Sequence, residues 1–124
     1  MSYSIKIKNQ PDFLYVEAEG NRSLEVIMEL ARDILKASNK YKNPRVLIDV
    51  RELEGRLKVI DAYEIPQSLF PKLRGLGIEK AAIVDIPVSK NDFNFLETVA
   101  VNRGYNFRIF GEFKEAKEWL CAIS

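Results

Sequence analysis

The chain has no histidine and only one cysteine, Cys121, among its 124 residues. Histidine is the usual general base near neutral pH and the commonest metal ligand. A single cysteine excludes an intrachain disulfide and a thiolate zinc cluster, and without an imidazole it has no base to make it a catalytic nucleophile. We therefore predict a protein that is not an enzyme and that needs no metal or cofactor.

Long apolar runs and an excess of one charge are also missing. No stretch approaches the roughly 18 continuous apolar residues of a membrane span, and Met1–Lys8 alternates in polarity instead of forming a signal peptide. Nineteen basic residues face eighteen acidic ones, so the net charge is +1, which gives no electrostatic reason to expect nucleic acid. These features predict a cytoplasmic protein without a transmembrane segment or a nucleic-acid partner.

The overall composition is that of an ordinary globular protein, with 47% apolar and 30% charged residues. A chain of this length can bury one hydrophobic core. We therefore predict a single domain that spans residues 1–124.

The N-terminal third predicts a hairpin followed by a helix. Tyr3–Lys8 and Phe13–Glu19 have strand-like patterns and are separated by a short polar turn, which favours antiparallel pairing. Gly20 and Asn21 are expected to end the second strand. The apolar residues that follow have helical spacing, with Ser23 as the N-cap.

Two short apolar segments, Val46–Val50 and Ala81–Ile86, are typical of parallel strands that are buried on both faces. We expect them to lie side by side in the centre of the sheet. A loop over Glu52–Gly55 and a helix over Leu57–Leu73 are predicted to connect them. After a third helix, the pattern predicts a strand over Tyr105–Phe110 and a final helix.

The predicted order is therefore β-β-α-β-α-β-α-β-α. Alternating strands and helices imply an α/β fold whose mixed sheet is mostly parallel, with an N-terminal hairpin and helices packed on both faces.

Three segments resemble a known family. Leu47–Arg51 with Leu53–Gly55 is similar to its LLLDLRDFEG segment, Ile78–Val84 to its F-x-R-I-A-V-V strand, and Phe113–Leu120 to its terminal E-E-A-x-x-W-L helix. This is the SpoIIAA-like or STAS-type family, which is sometimes grouped with SEC14-type lipid-binding domains. The resemblance spans nearly the whole chain and implies a STAS-like domain with a regulatory role.

Family members that act as anti-sigma factor antagonists carry a phosphorylatable Ser or Thr shortly after the central strand. The matching stretch here, Arg51–Lys58, contains no Ser, Thr or Tyr. The resemblance therefore implies a binding module without the usual phosphorylation switch. Glu54 is interpreted in one of two ways: its carboxylate imitates the permanently charged, phosphorylated state of the family's Ser or Thr, or it is simply a solvated loop carboxylate.

Asp49 and Asp85 are predicted to lie at the carboxyl ends of neighbouring strands, where open α/β sheets place their ligands. Each carboxylate either contacts a partner or bonds to nearby groups, such as Arg51 for Asp49, and the second interpretation is favoured. Without further oxygen ligands the pair does not predict a metal site. Arg51, Glu54 and Arg56 complete the polar candidates for a contact surface.

Four aromatic residues lie on the two predicted middle helices: Tyr63, Phe70, Phe93 and Phe95. They are core residues, the lining of an apolar pocket, or part of a contact surface. Residues two apart on a helix point about 200° apart, so one ring of the pair Phe93 and Phe95 is expected at the edge of the apolar face. We predict a self-association or partner surface there.

The leading functional hypothesis is a non-enzymatic binding or regulatory module that contacts a protein partner. The alternative is a carrier or sensor of a small apolar or lipid-like ligand. An enlarged apolar pocket between the middle helices and the sheet would favour the alternative, and an exposed apolar patch would favour the partner.

Overall fold

A computed structural model of the chain describes residues 3–55, 58, 60–61, 64–65, 67, 78–86, 97–98, 101–102, 104 and 106–122. In chain order its elements are β1 (Tyr3–Asn9), β2 (Leu14–Asn21), α1 (Leu24–Tyr41), β3 (Arg45–Glu54), β4 (Lys80–Val84), β5 (Phe107–Phe110) and α2 (Phe113–Cys121). Residues 60–61, 64–65, 67, 97–98 and 101–102 are also helical, within the segments where the sequence predicts the two middle helices.

The five strands form one sheet in the order β1-β2-β3-β4-β5. β1 and β2 pair antiparallel, and the other neighbouring strands pair parallel. β3 and β4 are in register from Arg45 opposite Lys80 to Asp49 opposite Val84. The structure thus confirms the mixed sheet, its N-terminal hairpin and the two adjacent parallel strands in its interior.

Helix α1 covers one face of the sheet. The Ser23 hydroxyl accepts a hydrogen bond from the Val26 amide at 3.2 Å, as expected of an N-cap, and the helix ends at Lys42 in a left-handed conformation with φ 53°. Its apolar side packs on alternate residues of β2 and β3, because successive side chains of a strand point to opposite faces. The buried residues of this layer include Val16, Ala18, Val26, Leu30, Ile34, Ile48 and Val50.

Helix α2 covers the opposite face. Ala116 and Leu120 are completely buried against Leu47, Ala82 and Val84. Helices therefore pack on both faces of the sheet, as the sequence predicts. None of the described helices is both long and apolar enough to cross a membrane.

Two basic side chains hold the C-terminal end of α2 against the starts of β3 and β4. Arg45 donates to the Leu120 carbonyl at 3.1 Å. Lys80 donates to the Trp119 and Ala122 carbonyls at 3.2 and 3.3 Å. Carbonyls at a helix C-terminus carry the negative end of its dipole, so the two cations fix the position of α2 on the sheet.

A side chain also bonds to the backbone of β5. The Glu97 carboxylate accepts a hydrogen bond from the Ile109 amide at 3.0 Å. β5 is the last strand of the sheet. This amide of the terminal strand is therefore bonded to a side chain instead of to another strand.

Two strands extend beyond their predicted ends. Residues 19–21 of β2 pair with residues 52–54 of β3, so the predicted break at Gly20 and the predicted loop over Glu52–Gly55 are both wrong. Gly20 adopts φ 144°, which glycine tolerates without strain, and Leu53 is buried at 3% exposure. Backbone pairing and the burial of Leu53 together keep this polar segment in the sheet.

The longer β3 also changes the setting of Asp49. This residue lies within the strand, not at its end as the sequence predicts.

The last two strands of the sheet, β4 and β5, are shorter than expected. β4 ends at Val84 instead of Ile86, and β5 begins at Phe107 instead of Tyr105.

Candidate functional site

β3 contains a bulge near its carboxyl end. Glu17 of β2 lies opposite Asp49, but Glu19 lies opposite Glu52, so β2 advances two residues while β3 advances three. A bulge bends the strand and changes the direction of the side chains that follow it. Such irregularities are common next to functional sites.

The bulge determines which residues of the extended strand reach solvent. Val50 and Leu53 belong to the same core layer beneath α1, although they are three residues apart. Strict alternation would place them on opposite faces. With the bulge, Leu53 stays buried while Glu52 and Glu54 are exposed.

We call the group formed by Glu19, Asn21, Glu52 and Glu54 the acidic edge. Glu19 lies directly opposite Glu52, and Asn21 lies opposite Glu54. The group borders an open cleft of about 460 Å³ at the carboxyl ends of β2 and β3. The cleft is lined by Tyr3, Ser4, Glu19, Gly20, Asn21, Glu52 and Glu54.

Within the described part of the chain, none of the three carboxylates of the acidic edge takes part in an ion pair. Like charges that face each other across two strands are destabilising, on a scale of about 0.2–1 kcal/mol for such pairs. The charge of Glu52 helps to raise the pKa of the Arg51 guanidinium, which offsets part of this repulsion, but the placement of Glu19 opposite Glu52 does not itself stabilise the sheet. Among the described residues, no group of acidic or sulfur side chains has an arrangement that could hold a metal ion.

Behind the acidic edge lies a buried ion pair between Arg22, which follows β2, and Asp85, which follows β4. The two guanidinium nitrogens of Arg22 contact the two carboxylate oxygens of Asp85 at 2.8 and 2.9 Å. Both side chains are fully buried. This fork-to-fork geometry is the strongest arrangement of an arginine and a carboxylate.

Arg22 also bonds to the bulge and to the residue after Glu52. Its Nη2, which has two hydrogens, lies 3.1 and 3.2 Å from the Val50 and Leu53 carbonyls in addition to Asp85, so one of these hydrogens is shared between two acceptors. Its backbone amide donates to the Glu54 carbonyl at 2.8 Å. One residue therefore holds the backbone of β3 within the bulge, after it and at the end of the strand.

Asp85 is equally well bonded on its own side. Its Oδ1 accepts a hydrogen bond from the Ile86 amide at 2.8 Å, and its amide donates to the Phe110 carbonyl at 3.0 Å. The carboxylate is thereby fixed to the chain after β4, and the backbone of Asp85 is fixed to the end of β5. The Arg22–Asp85 pair consequently joins the carboxyl ends of β2, β3, β4 and β5.

Asp49 has a local partner, as the favoured interpretation of the sequence predicts. Its Oδ1 accepts from the Arg51 amide at 3.1 Å and from Nε at 3.0 Å, and its Oδ2 accepts from Nη2 at 2.7 Å. Bonding to Asp49 raises the pKa of the Arg51 guanidinium, although burial opposes this shift. The Arg51 side chain remains 40% exposed.

Tyr15 lies next to this pair on the α2 face of the sheet. Its ring meets the Phe113 ring edge-on at a centroid distance of 5.4 Å. Burial raises the pKa of the Tyr15 phenol, with further contributions from bonding to Glu17 and from the charge of Asp49. This tyrosine is therefore protonated at neutral pH and acts as a packing residue with a polar end.

The structure places the candidate residues predicted from the sequence at different positions in the fold. Glu54 lies on the acidic edge, Asp85 is buried behind it, and Asp49 and Arg51 form their own pair. Five candidates lie outside the described residues, namely Arg56, Tyr63, Phe70, Phe93 and Phe95.

Sequence reasoning missed Arg22, Glu19 and Glu52. The available signal for the two glutamates is their spacing, since Glu19 is two residues from Glu17 and Glu52 is two residues from Glu54. A period of two places each pair on one face of a strand. For Arg22 the sequence offers only a charged residue immediately before a helix N-cap.

The strand order and pairing are those of a SpoIIAA-like α/β fold, which two solved structures share. A protein of the DUF3478 family with a SpoIIAA-like fold from Shewanella loihica PV-4 is 24% identical. The match covers 96% of this chain and 94% of that one, with a TM-score of 0.59. An anti-sigma factor antagonist from Mycobacterium paratuberculosis is 14% identical over the same shares of the two chains, with a TM-score of 0.64.

These likenesses confirm the expected fold. No protein-family model matches the chain, and no curated protein matches it.

Proposed function

We propose that this chain is a non-enzymatic binding module that acts in the cytoplasm and contacts a protein partner through the acidic edge. The observation that carries the proposal is the opposition of Glu19 and Glu52 across β2 and β3. A basic segment of a partner, rich in Lys or Arg, would relieve the repulsion between these carboxylates. Complementary charge of this kind guides partners together and suppresses wrong ones.

The position of the acidic edge supports this proposal. Ligands of open α/β sheets bind at the carboxyl ends of the strands, and the acidic edge lies at the ends of β2 and β3. The fold is also shared with an anti-sigma factor antagonist, a class of protein that acts on another protein. The cleft beside the acidic edge is bordered mainly by polar residues, which does not favour the alternative of an apolar ligand.

The contact is expected to be independent of phosphorylation near the central strand. Arg51–Lys58 has no hydroxyl side chain, so Glu52 and Glu54 supply a fixed negative charge in this segment. Phosphate mapped onto Ser68 or Ser89 by a cognate anti-sigma kinase, with loss of partner binding, would show that the switch lies elsewhere.

The test is site-specific crosslinking in the cells from which the protein comes. A photo-crosslinking residue replaces Glu54 in one variant and Glu118, an exposed glutamate of α2, in the matched control. We expect one discrete protein adduct from position 54 and none from position 118. When the crosslinking is repeated in a lysate of these cells, the adduct should weaken with added salt, because interactions between exposed charges are screened. No adduct at position 54, or the same adducts at both positions, would contradict the proposal.

A further inference from the structure

The buried pair Arg22–Asp85 is not explained by stability alone. Removing two charges from water costs several kcal/mol per ion in folded proteins, and a well-packed apolar pair is often as stable or more so. The geometry of Arg22 is nevertheless specific, since it forms two bonds to Asp85 and two to carbonyls of β3. The arrangement serves to define where these chain segments lie.

The bonds of Arg22 meet at the bulge that creates the acidic edge. The bulge consists of Val50 and Arg51, which stand where β2 has only Ala18, so the Val50 carbonyl lies within it and the Leu53 carbonyl lies just after it. A bulge disrupts the hydrogen bonds between strands locally, so a carbonyl within it needs another donor. Arg22 supplies one from the chain that leaves β2.

We propose that Arg22 and Asp85 form a positioning device that holds Glu52 and Glu54 in place for the partner. Arg22 fixes the bulge, and Asp85 fixes Arg22 to the chain that leaves β4. The orientation of the acidic edge is thereby coupled to the conformation after Val84. Any change that withdraws the Asp85 carboxylate releases the bulge and weakens partner binding. The inference rests on the proposed function for its consequence, but its structural part can be tested without a partner.

Arginine is needed at this position because of its shape. Lysine carries the same charge on a single ammonium group, which cannot span both oxygens of Asp85 and two carbonyls at once. The substitution Arg22→Lys therefore retains the charge and removes the fork. The double substitution Arg22→Met with Asp85→Leu removes both charges of the pair together.

The first experiment measures hydrogen exchange by mass spectrometry in the wild type and in the double variant. Peptides that cover residues 50–55 report on the bulge, and peptides that cover residues 44–49 of the same strand serve as the internal control. We expect exchange over residues 50–55 to accelerate about tenfold or more, as for a locally opened segment, with little change over 44–49. The Arg45→Met variant, which alters an arginine at the other end of β3, should leave residues 50–55 unchanged.

Equal exchange over residues 50–55 in the wild type and the double variant would overturn the proposal. If the double variant does not fold, Arg22→Lys decides by the same measurement. Faster exchange confined to residues 50–55 supports the positioning role. Either no change or a uniform increase along the strand contradicts it.

The second experiment tests whether the Arg22–Asp85 pair affects partner binding. In the double variant, the crosslinked adduct from position 54 should fall by about tenfold at a temperature where the variant is still folded, although its melting temperature falls because the Val50 and Leu53 carbonyls lose a buried donor. An adduct of wild-type strength would overturn the coupling. If the wild type itself gives no adduct, the proposed function fails, and the exchange measurement still decides the positioning role.

Discussion

The ammonium group of Lys80 lies 5.0 Å from the centre of the Trp119 ring and donates to the carbonyl of the same residue at 3.2 Å. Lys80 is only 4% exposed. A residue of the sheet therefore caps the terminal helix, which has no basic residue in its own last turn.

Lys80→Met should lower the free energy of unfolding by about 1–3 kcal/mol, because the carbonyls of Trp119 and Ala122 lose a charged donor. Urea unfolding monitored by tryptophan fluorescence measures the change. The control is Lys114→Met on the exposed side of the same helix, for which we expect a change within about 0.5 kcal/mol. Equal effects of the two substitutions would show that Lys80 does not cap α2.

Glu52→Gln should separate stability from binding. Removing one of two opposed charges should raise the free energy of unfolding by about 0.2–1 kcal/mol at low salt. The gain should nearly vanish at about 1 M salt, where the screening length is about 3 Å. The same variant should give less crosslinked adduct from position 54.

Urea unfolding at the two salt concentrations measures the stability change, and Glu118→Gln is the control for removing a negative charge. If Glu52→Gln destabilises the protein at low salt, the two carboxylates do not repel each other as we infer.

The protein should lose stability in alkaline solution through two tyrosines. Burial raises the pKa of the Tyr3 phenol, and its hydrogen bond to Asp33 at 3.0 Å adds to this shift. Burial likewise raises the pKa of the Tyr15 phenol. Their stabilising contribution is complete below the ordinary tyrosine pKa of about 10 and is lost as the pH rises above it.

Unfolding in urea between about pH 8 and about pH 11 tests this expectation. The double substitution Tyr3→Phe and Tyr15→Phe should flatten the decline above about pH 10. Tyr41→Phe, at a more exposed position, should leave the decline unchanged. A double variant that declines as steeply as the wild type would contradict the assignment.

Phe95 lies outside the described residues and remains the subject of a prediction from the sequence. Phe95→Ser should weaken self-association or partner binding while it leaves the melting temperature nearly unchanged. Sedimentation velocity measures the association, and Phe13→Ser is the control because its ring is buried at 6% exposure. If Phe95→Ser unfolds the protein as the control does, Phe95 is a core residue.

The sequence predicts the regular parts of this fold well. Val46–Val50 and Ala81–Ile86 are recognisable because nearly continuous apolar residues are needed where a strand is buried on both faces. Helix α1 is recognisable from its 3.6-residue period and from Ser23. Each of these signals lies within a few neighbouring residues, so no tertiary information is required.

The candidate site is less predictable because its contacts are distant in sequence. Asp49 and Arg51 are two residues apart on one strand, and their pairing follows from the local pattern. Arg22 and Asp85 are 63 residues apart, and neither has a neighbour that indicates the other.

The bulge in β3 is another feature that the local sequence does not reveal. The carbonyls of Val50 and Leu53 accept hydrogen bonds there from Arg22, which belongs to another segment of the chain. The polar residues from Glu52 to Glu54 therefore have the composition of a loop and the structure of a strand.

The bond between Glu97 and the Ile109 amide has a consequence for how the molecule behaves at high concentration. An open strand edge is a template on which strands of other molecules can add, which is how amyloid fibres grow. A strand approaching β5 would have to displace the Glu97 carboxylate from this amide. At the opposite border of the sheet, the exposed Lys6 and Lys8 of β1 would repel an identical strand. Charged side chains at both borders thus discourage the sheet from growing into a fibril.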